Sequence, residues 1–173
     1  MMDDTPLKTM WDDMMGGHRD PHRIIDRLIR SEEAEIPVYE ELARTAPNEP
    51  LRRRIEMMAQ EEREEIERLR LLHNMYPATQ SPTPYTEPEI TLSQFRNWPE
   101  MAFALRNMEL RQCAMLCHLA AITSDPAVAA VVMELASDEL HDAMFWNDLI
   151  LAFGWTWSGS PWQGPSWGPG RGW

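Results

Sequence analysis

Apolar residues recur at helical spacing in four long stretches of the chain. The first, DPHRIIDRLIRSEEAEIPVYEELARTA, aligns Ile25, Leu28, Ile29, Ile36, Tyr39 and Ala43 on one face, with Asp20 as N-cap and Pro21 in the first turn. Pro37 falls inside this pattern, so a kink or short local break is expected there. An NEP turn leads into a second helix from about Glu49 to Met75, and a third is expected from Pro99 to about Ile122. TSDP then supplies Asp125 as cap and Pro126 as first residue of a fourth helix, AVAAVVMELASDELHDAMFWNDLILAF. Residues 1–19 form a lead without sustained period, 20–153 the helical bundle, and 154–173 a low-complexity tail of Trp, Gly, Pro and Ser.

The connections carry topology. Helices one and two, and three and four, are joined by tight turns, so each pair is expected to be an antiparallel hairpin. Between the pairs lies YPATQSPTPYTEPEITLSQFRNW, with four prolines and no helical period. Extended at ~3.1 Å per residue, it can cross the roughly 36 Å length of a middle helix. The expected architecture is therefore all-α: an antiparallel four-helix bundle with one long crossover between helices two and three, the ferritin-like arrangement.

The polar positions on the inward stripes are the informative ones. In AQEEREEIERL, residues 59–69, five of eleven positions are glutamate. Met58, Glu62, Glu65, Leu69 and Leu72 share one face, whereas Glu61, Glu64 and Glu67 spread over the others. Glu32 and Glu35 intrude in the same way on the first helix, and Glu109 and Gln112 on the third. On the fourth, the stripe is read through Val131, Glu134, Asp138, His141, Phe145 and Leu149, which turns Asp138 and His141 inward. One inward acid is ordinarily a boundary residue whose head reaches water. Four converging acids would cost many kcal/mol if buried unpaired, and two divalent cations remove that cost. Oxygen ligands with an imidazole suit iron, manganese or zinc.

Net charge of −12 repels nucleic-acid phosphates and anionic lipid, so neither is expected as a partner. No long apolar run marks a membrane span, and the acidic start, MMDDTPLKTMWDDMMGGHRD, lacks the pattern of a signal peptide. A cytoplasmic address is the resulting expectation. Cys113 and Cys117 stand at i and i+4, too far apart for a disulfide, and are read as two buried, reduced thiols. No CxxC pair exists, which excludes a rubredoxin-type iron centre or a zinc ribbon.

Over residues 22–152 the motifs resemble the rubrerythrin branch of the ferritin-like superfamily. AQEEREEIERL resembles its second-helix motif, with Glu62 as bridging carboxylate and Glu65 where a histidine is usual. SDELHDAMF resembles the fourth-helix motif, with Asp138 for the bridging Glu and His141 retained. SEEAEIPVY resembles the first helix, with Glu32 as terminal ligand and Tyr39 as a nearby catalytic or hydrogen-bonding tyrosine. In NMELRQ, Glu109 matches the third-helix acid and Gln112 stands where the branch has a further carboxylate. The resemblance implies two divalent metal ions, iron first and manganese second, held by Glu32, Glu62, Glu65, Glu109, Asp138 and His141. Glu35 and Glu134 are reserve ligands. It implies redox work on peroxide, oxygen or Fe(II), a separate electron-donor protein in place of the missing rubredoxin domain, and a homodimer.

The remaining residues are read more plainly. His73 lies on the second inner stripe about 12 Å beyond Glu65 and is expected to be a satisfied histidine near the bundle end. His118 projects opposite Glu109, and the thirteen methionines are read as core filling. The rival to an enzyme is a non-enzymatic assembly or coat protein with a degenerate metal site, binding partners through the five tryptophans after Gly154.

Overall fold

Every long helix begins at a side chain that satisfies its first free N–H groups. In the computed structural model, which describes residues 20–76 and 91–152, Asp20 Oδ1 accepts from His22 N at 3.1 Å and Asn48 Oδ1 from Leu51 N at 2.9 Å. Asn97 Oδ1 accepts from Glu100 N at 3.0 Å, and Asp125 Oδ1 from Ala127 N at 2.8 Å. Each cap is followed by a proline within the first two helical positions, where a missing N–H costs nothing. The helices so started are α1 (Pro21–Arg44), α2 (Glu49–Met75), α3 (Trp98–Ile122) and α4 (Pro126–Ala152). Among the described residues there is no strand, and the other element is a 3₁₀ turn at Leu92–Gln94. That turn lies in the proline-rich connection, where no helical period was legible.

α1 runs through Pro37 as one helix. Pro37 sits on the exposed face, where water can serve the carbonyl left without its helical N–H. α3 starts at Trp98, one residue before the expected Pro99. The lead (1–19), residues 77–90 of the connection and the tail (154–173) lie outside the described residues, and with them the tryptophans after Gly154. Among the described residues no helix is long and apolar enough to cross a membrane.

α1 packs against α2 and α3, and α3 against α4, whereas α2 and α4 touch only sparsely. The buried apolar residues form two separate clusters. One gathers Ile25 and Leu28 of α1, Leu69 and Leu72 of α2, Leu116 and Leu119 of α3, and Val132 and Leu135 of α4. The other gathers Tyr39 and Leu42, Ile55 and Met58, Ala102 and Leu105, and Trp146 and Ile150. Each such side chain contributes about 1.5–3 kcal/mol by leaving water. Trp98 Nε1 ties the second cluster together by donating to Leu42 O at 3.2 Å. The two thiols are free, but Cys117 is exposed and Cys113 half-buried, so the expectation of two buried thiols is corrected. The stretch of helix between the clusters is where the core stops being apolar.

Candidate metal centre

Between Leu28 and Val38 the inward positions of α1 are Glu32 and Glu35, and both are fully buried. Between Met58 and Leu69 those of α2 include Glu62 and Glu65, and between Leu105 and Met115 those of α3 include Glu109 and Gln112. α4 places Glu139 there, between Leu135 and Trp146, with Asp142 one turn on at 13% side-chain exposure. Each helix thus offers an i, i+3 pair at the same level: Glu32–Glu35, Glu62–Glu65, Glu109–Gln112 and Glu139–Asp142. Side chains three apart share a helical face, so each pair projects together into the layer between the two apolar clusters.

The fourth-helix expectation is corrected here. Asp138 is 44% exposed at its side chain and faces Arg68 Nη2 at 3.7 Å. His141, Glu134 and Val131 are exposed on the outer side. The buried stripe of α4 runs instead through Val128, Val132, Leu135, Glu139, Ala143, Trp146 and Ile150. Asp138 and His141 therefore do not join the layer, and Glu139 and Asp142 take their places. The cause lies in the composition of α4, which carries apolar residues around most of its circumference. Two stripes one residue apart are equally apolar, so periodicity does not distinguish them. The larger signal was Trp146, the bulkiest side chain of the helix, which shares its face with Glu139. Of the reserve ligands, Glu35 joins the layer and Glu134 does not. Glu32, Glu62, Glu65 and Glu109 all lie in it as expected.

Within the layer the carboxyls face one another. Glu32 meets Glu62, and Glu109 meets Glu35 and Glu139, contacts that become hydrogen bonds only when one partner carries a proton. Ionised, both oxygens of Glu32, both of Glu139 and one each of Glu35, Glu62 and Glu109 are buried with no hydrogen-bond partner. Burial drives every one of these acids towards the neutral form. Glu62 is pushed up to about 8 by burial and the charge of Glu109, and Glu109 to about 7 by burial against the opposing hydrogen bonds from Glu139 and Tyr39. Glu32, Glu35 and Glu139 rise well above the usual carboxylate range, by burial first and by neighbouring glutamates second.

Two members lie at the edge, on the loosely packed side between α2 and α4. Glu65 accepts from Arg68 Nη2 at 3.3 Å yet is still raised to about 8 by burial and Glu62. Asp142 lies 3.5 Å from Arg54 Nη2 and is raised to about 6, burial outweighing the arginine. Among the described residues no cation pairs with the five inner glutamates. Tyr39 is fully buried, its hydroxyl donating to Glu109 Oε1 at 2.5 Å and accepting from Trp146 Nε1 at 3.2 Å. Burial and the adjacent Glu109 and Glu62 raise its pKa, so it remains a neutral phenol and a fixed donor.

In this layer the donors are of the type that hard divalent cations take, though no three of them bring ligand oxygens within 4.8 Å of one another. The layer offers carboxylate oxygens from four directions, with orphaned acceptors that have lost water and gained nothing in exchange. With His141 turned outward the described donor set is all oxygen. Comparison of the chain with protein-family models, with curated proteins and with solved structures gives no match in any of the three.

Proposed function

We propose that this protein is a ferritin-like bundle related to the rubrerythrins that holds two divalent ions, iron or manganese, and works as an oxidoreductase on peroxide, oxygen or Fe(II). The observation that carries this reading is the sealed layer of glutamates, contributed by all four helices, with no internal cation. The ferritin-like topology is supported by which residues share a cluster. The start of α1, the end of α2, the end of α3 and the start of α4 meet in one cluster, and the opposite ends meet in the other. That order runs α2 and α3 in the same direction, as a crossover between two antiparallel hairpins requires.

Glu32, Glu35, Glu62, Glu65, Glu109, Glu139 and Asp142 are the residues that would hold the ions. Bound iron or manganese would supply one-electron steps between its divalent and trivalent states. The chain's own residues do the rest. Tyr39, clamped by Trp146, fixes the orientation of Glu109 through its hydroxyl. The apolar clusters close both ends of the layer, and small oxidants would enter where α2 and α4 touch only sparsely, beside Arg54 and Arg68. Glu65 and Asp142 line that route and exchange protons with solvent near neutral pH, matching the need for protons when oxygen is reduced. A homodimer is supported by Met133, Leu140, Met144 and Leu151, exposed along one outer face of α4. The electron donor would be a separate protein.

Metal analysis of the purified chain, paired with a peroxide and Fe(II) oxidation assay, tests the proposal. About two equivalents of iron or manganese that disappear in Glu62→Ala, together with turnover, is the expected result. Protein that binds neither ion above the level of Glu62→Ala would overturn it and favour the assembly role.

A further inference from the structure

A second group of ligand-type side chains stands at the end of the bundle where α1 begins and α2 finishes. His22 and Asp26 lie one turn apart on α1, and His73 reaches across from the last turn of α2. His73 Nε2 is 2.9 Å from Asp26 Oδ1, and His22 Nδ1 is 3.9 Å from Asp26 Oδ2. The imidazole rings lie 3.6 Å apart between centroids, and one ligand atom from each of the three residues falls within 4.8 Å of the others. Metal–nitrogen bonds of about 2.0–2.1 Å place tetrahedral ligand atoms roughly 3.3 Å apart. The ligand atoms need to close by up to about 1.5 Å to meet that spacing.

Charge and exposure point the same way. The two imidazole rings are tilted by 55° to one another, with Asp26 beside both. His73 Nε2 is shut from solvent and has no hydrogen-bond partner despite its nearness to Asp26. The side chains are 22%, 29% and 25% exposed, which leaves room for water on the outer side. Two imidazoles and one carboxylate with open positions suit a borderline divalent ion.

We infer that His22, Asp26 and His73 form a mononuclear site for a divalent transition-metal ion of the zinc, cobalt or copper class, with water completing its coordination. The ion pins the first turn of α1 to the last turn of α2. The site is independent of the glutamate layer, since His73 lies eight residues beyond Glu65, roughly 12 Å along the helix.

Zinc titration of the chelator-treated full-length chain tests this, read by calorimetry and thermal shift. One equivalent of Zn²⁺ is expected to raise the melting temperature of Glu62→Ala as it does that of the parent. His22→Ala and His73→Ala should each weaken this binding at least tenfold, and Asp26→Asn more mildly. His141→Ala should leave it unchanged. Pulsed electron paramagnetic resonance with one equivalent of Cu²⁺ adds a ligand count: two imidazoles in the parent, one in either single variant. His73→Gln serves if His73→Ala does not fold. Zinc binding and a copper signal that persist unchanged in the His22→Ala, His73→Ala double variant would overturn the assignment.

Discussion

Glu32 and Glu33, Glu62 and Glu61, and Glu139 and Asp138 are pairs of an inward and an outward acid that are neighbours in sequence. The outward members meet arginines: Glu33 lies 2.7 Å from Arg70, Glu61 3.1 Å from Arg54 and Asp138 3.7 Å from Arg68. The inward members have lost water and meet only other carboxyls and Tyr39. On the surface, arginines hold Glu41, Glu49 and Glu100 below the usual carboxylate range, whereas burial drives Glu32, Glu35 and Glu139 far above it. A rotation of about 100° around a helix thus separates two chemistries of one residue type. Surface pairs are worth little to stability, commonly 0–1 kcal/mol. The buried layer costs stability unless protons or cations neutralise it, and a sequence that retains such a cost in every helix has a use for it.

Four substitutions or conditions would break or sharpen this contrast. The largest effect belongs to metal affinity: Glu62→Ala should lower it by about a hundredfold or more, while its neighbour Glu61→Ala leaves metal content intact. Next comes pH. In the metal-free protein Glu62, Glu65, Glu109 and Asp142 bind protons more tightly folded than unfolded. Their stabilising contribution is complete below about pH 4 and is lost as pH rises towards 8, because the native state then gives up protons it holds more strongly. Thermal melts in chelator should fall by roughly 10 °C between pH 5 and pH 8, and added Mn²⁺ should flatten that decline. A melting temperature that rises over this window would contradict the raised acids.

Tyr39→Phe should act more gently. It removes the donor to Glu109 and strands Trp146 Nε1, costing about 1–3 kcal/mol by denaturant melts, with metal content kept and turnover slowed. The smallest effects are expected on the outer side, where Asp138→Asn and His141→Ala should shift stability by less than about 0.5 kcal/mol and leave metal content unchanged. Loss of metal in His141→Ala would restore the ligand role that the sequence suggested.

What the sequence made legible follows from how each helix distributes its polarity. α1 and α2 are charged on their outer faces and apolar within, so Glu32, Glu35, Glu62 and Glu65 stood out against a clean stripe. α3 was readable because Met101, Leu105, Met108 and Leu116 fix its inner face around Glu109. α4 was not, because Val131, Met133, Leu140 and Met144 are apolar yet outward, and periodicity cannot choose between two greasy faces. Only packing against α3 decides, and that turns Glu139 in and His141 out. The caps at Asp20 and Asp125 were legible because they are local, set by an acid just ahead of a proline. The His22–Asp26–His73 group was not, since it needs the ends of two helices brought together.

The most direct measurement is anomalous diffraction from crystals grown with Mn²⁺. The account predicts two peaks inside the layer bounded by Leu28, Met58, Leu105 and Trp146, each within bonding distance of carboxylates from at least two helices, with Glu139 rather than His141 as the α4 ligand. A layer without peaks, its glutamates hydrogen-bonded to one another as neutral acids at manganese concentrations that saturate surface sites, would contradict it.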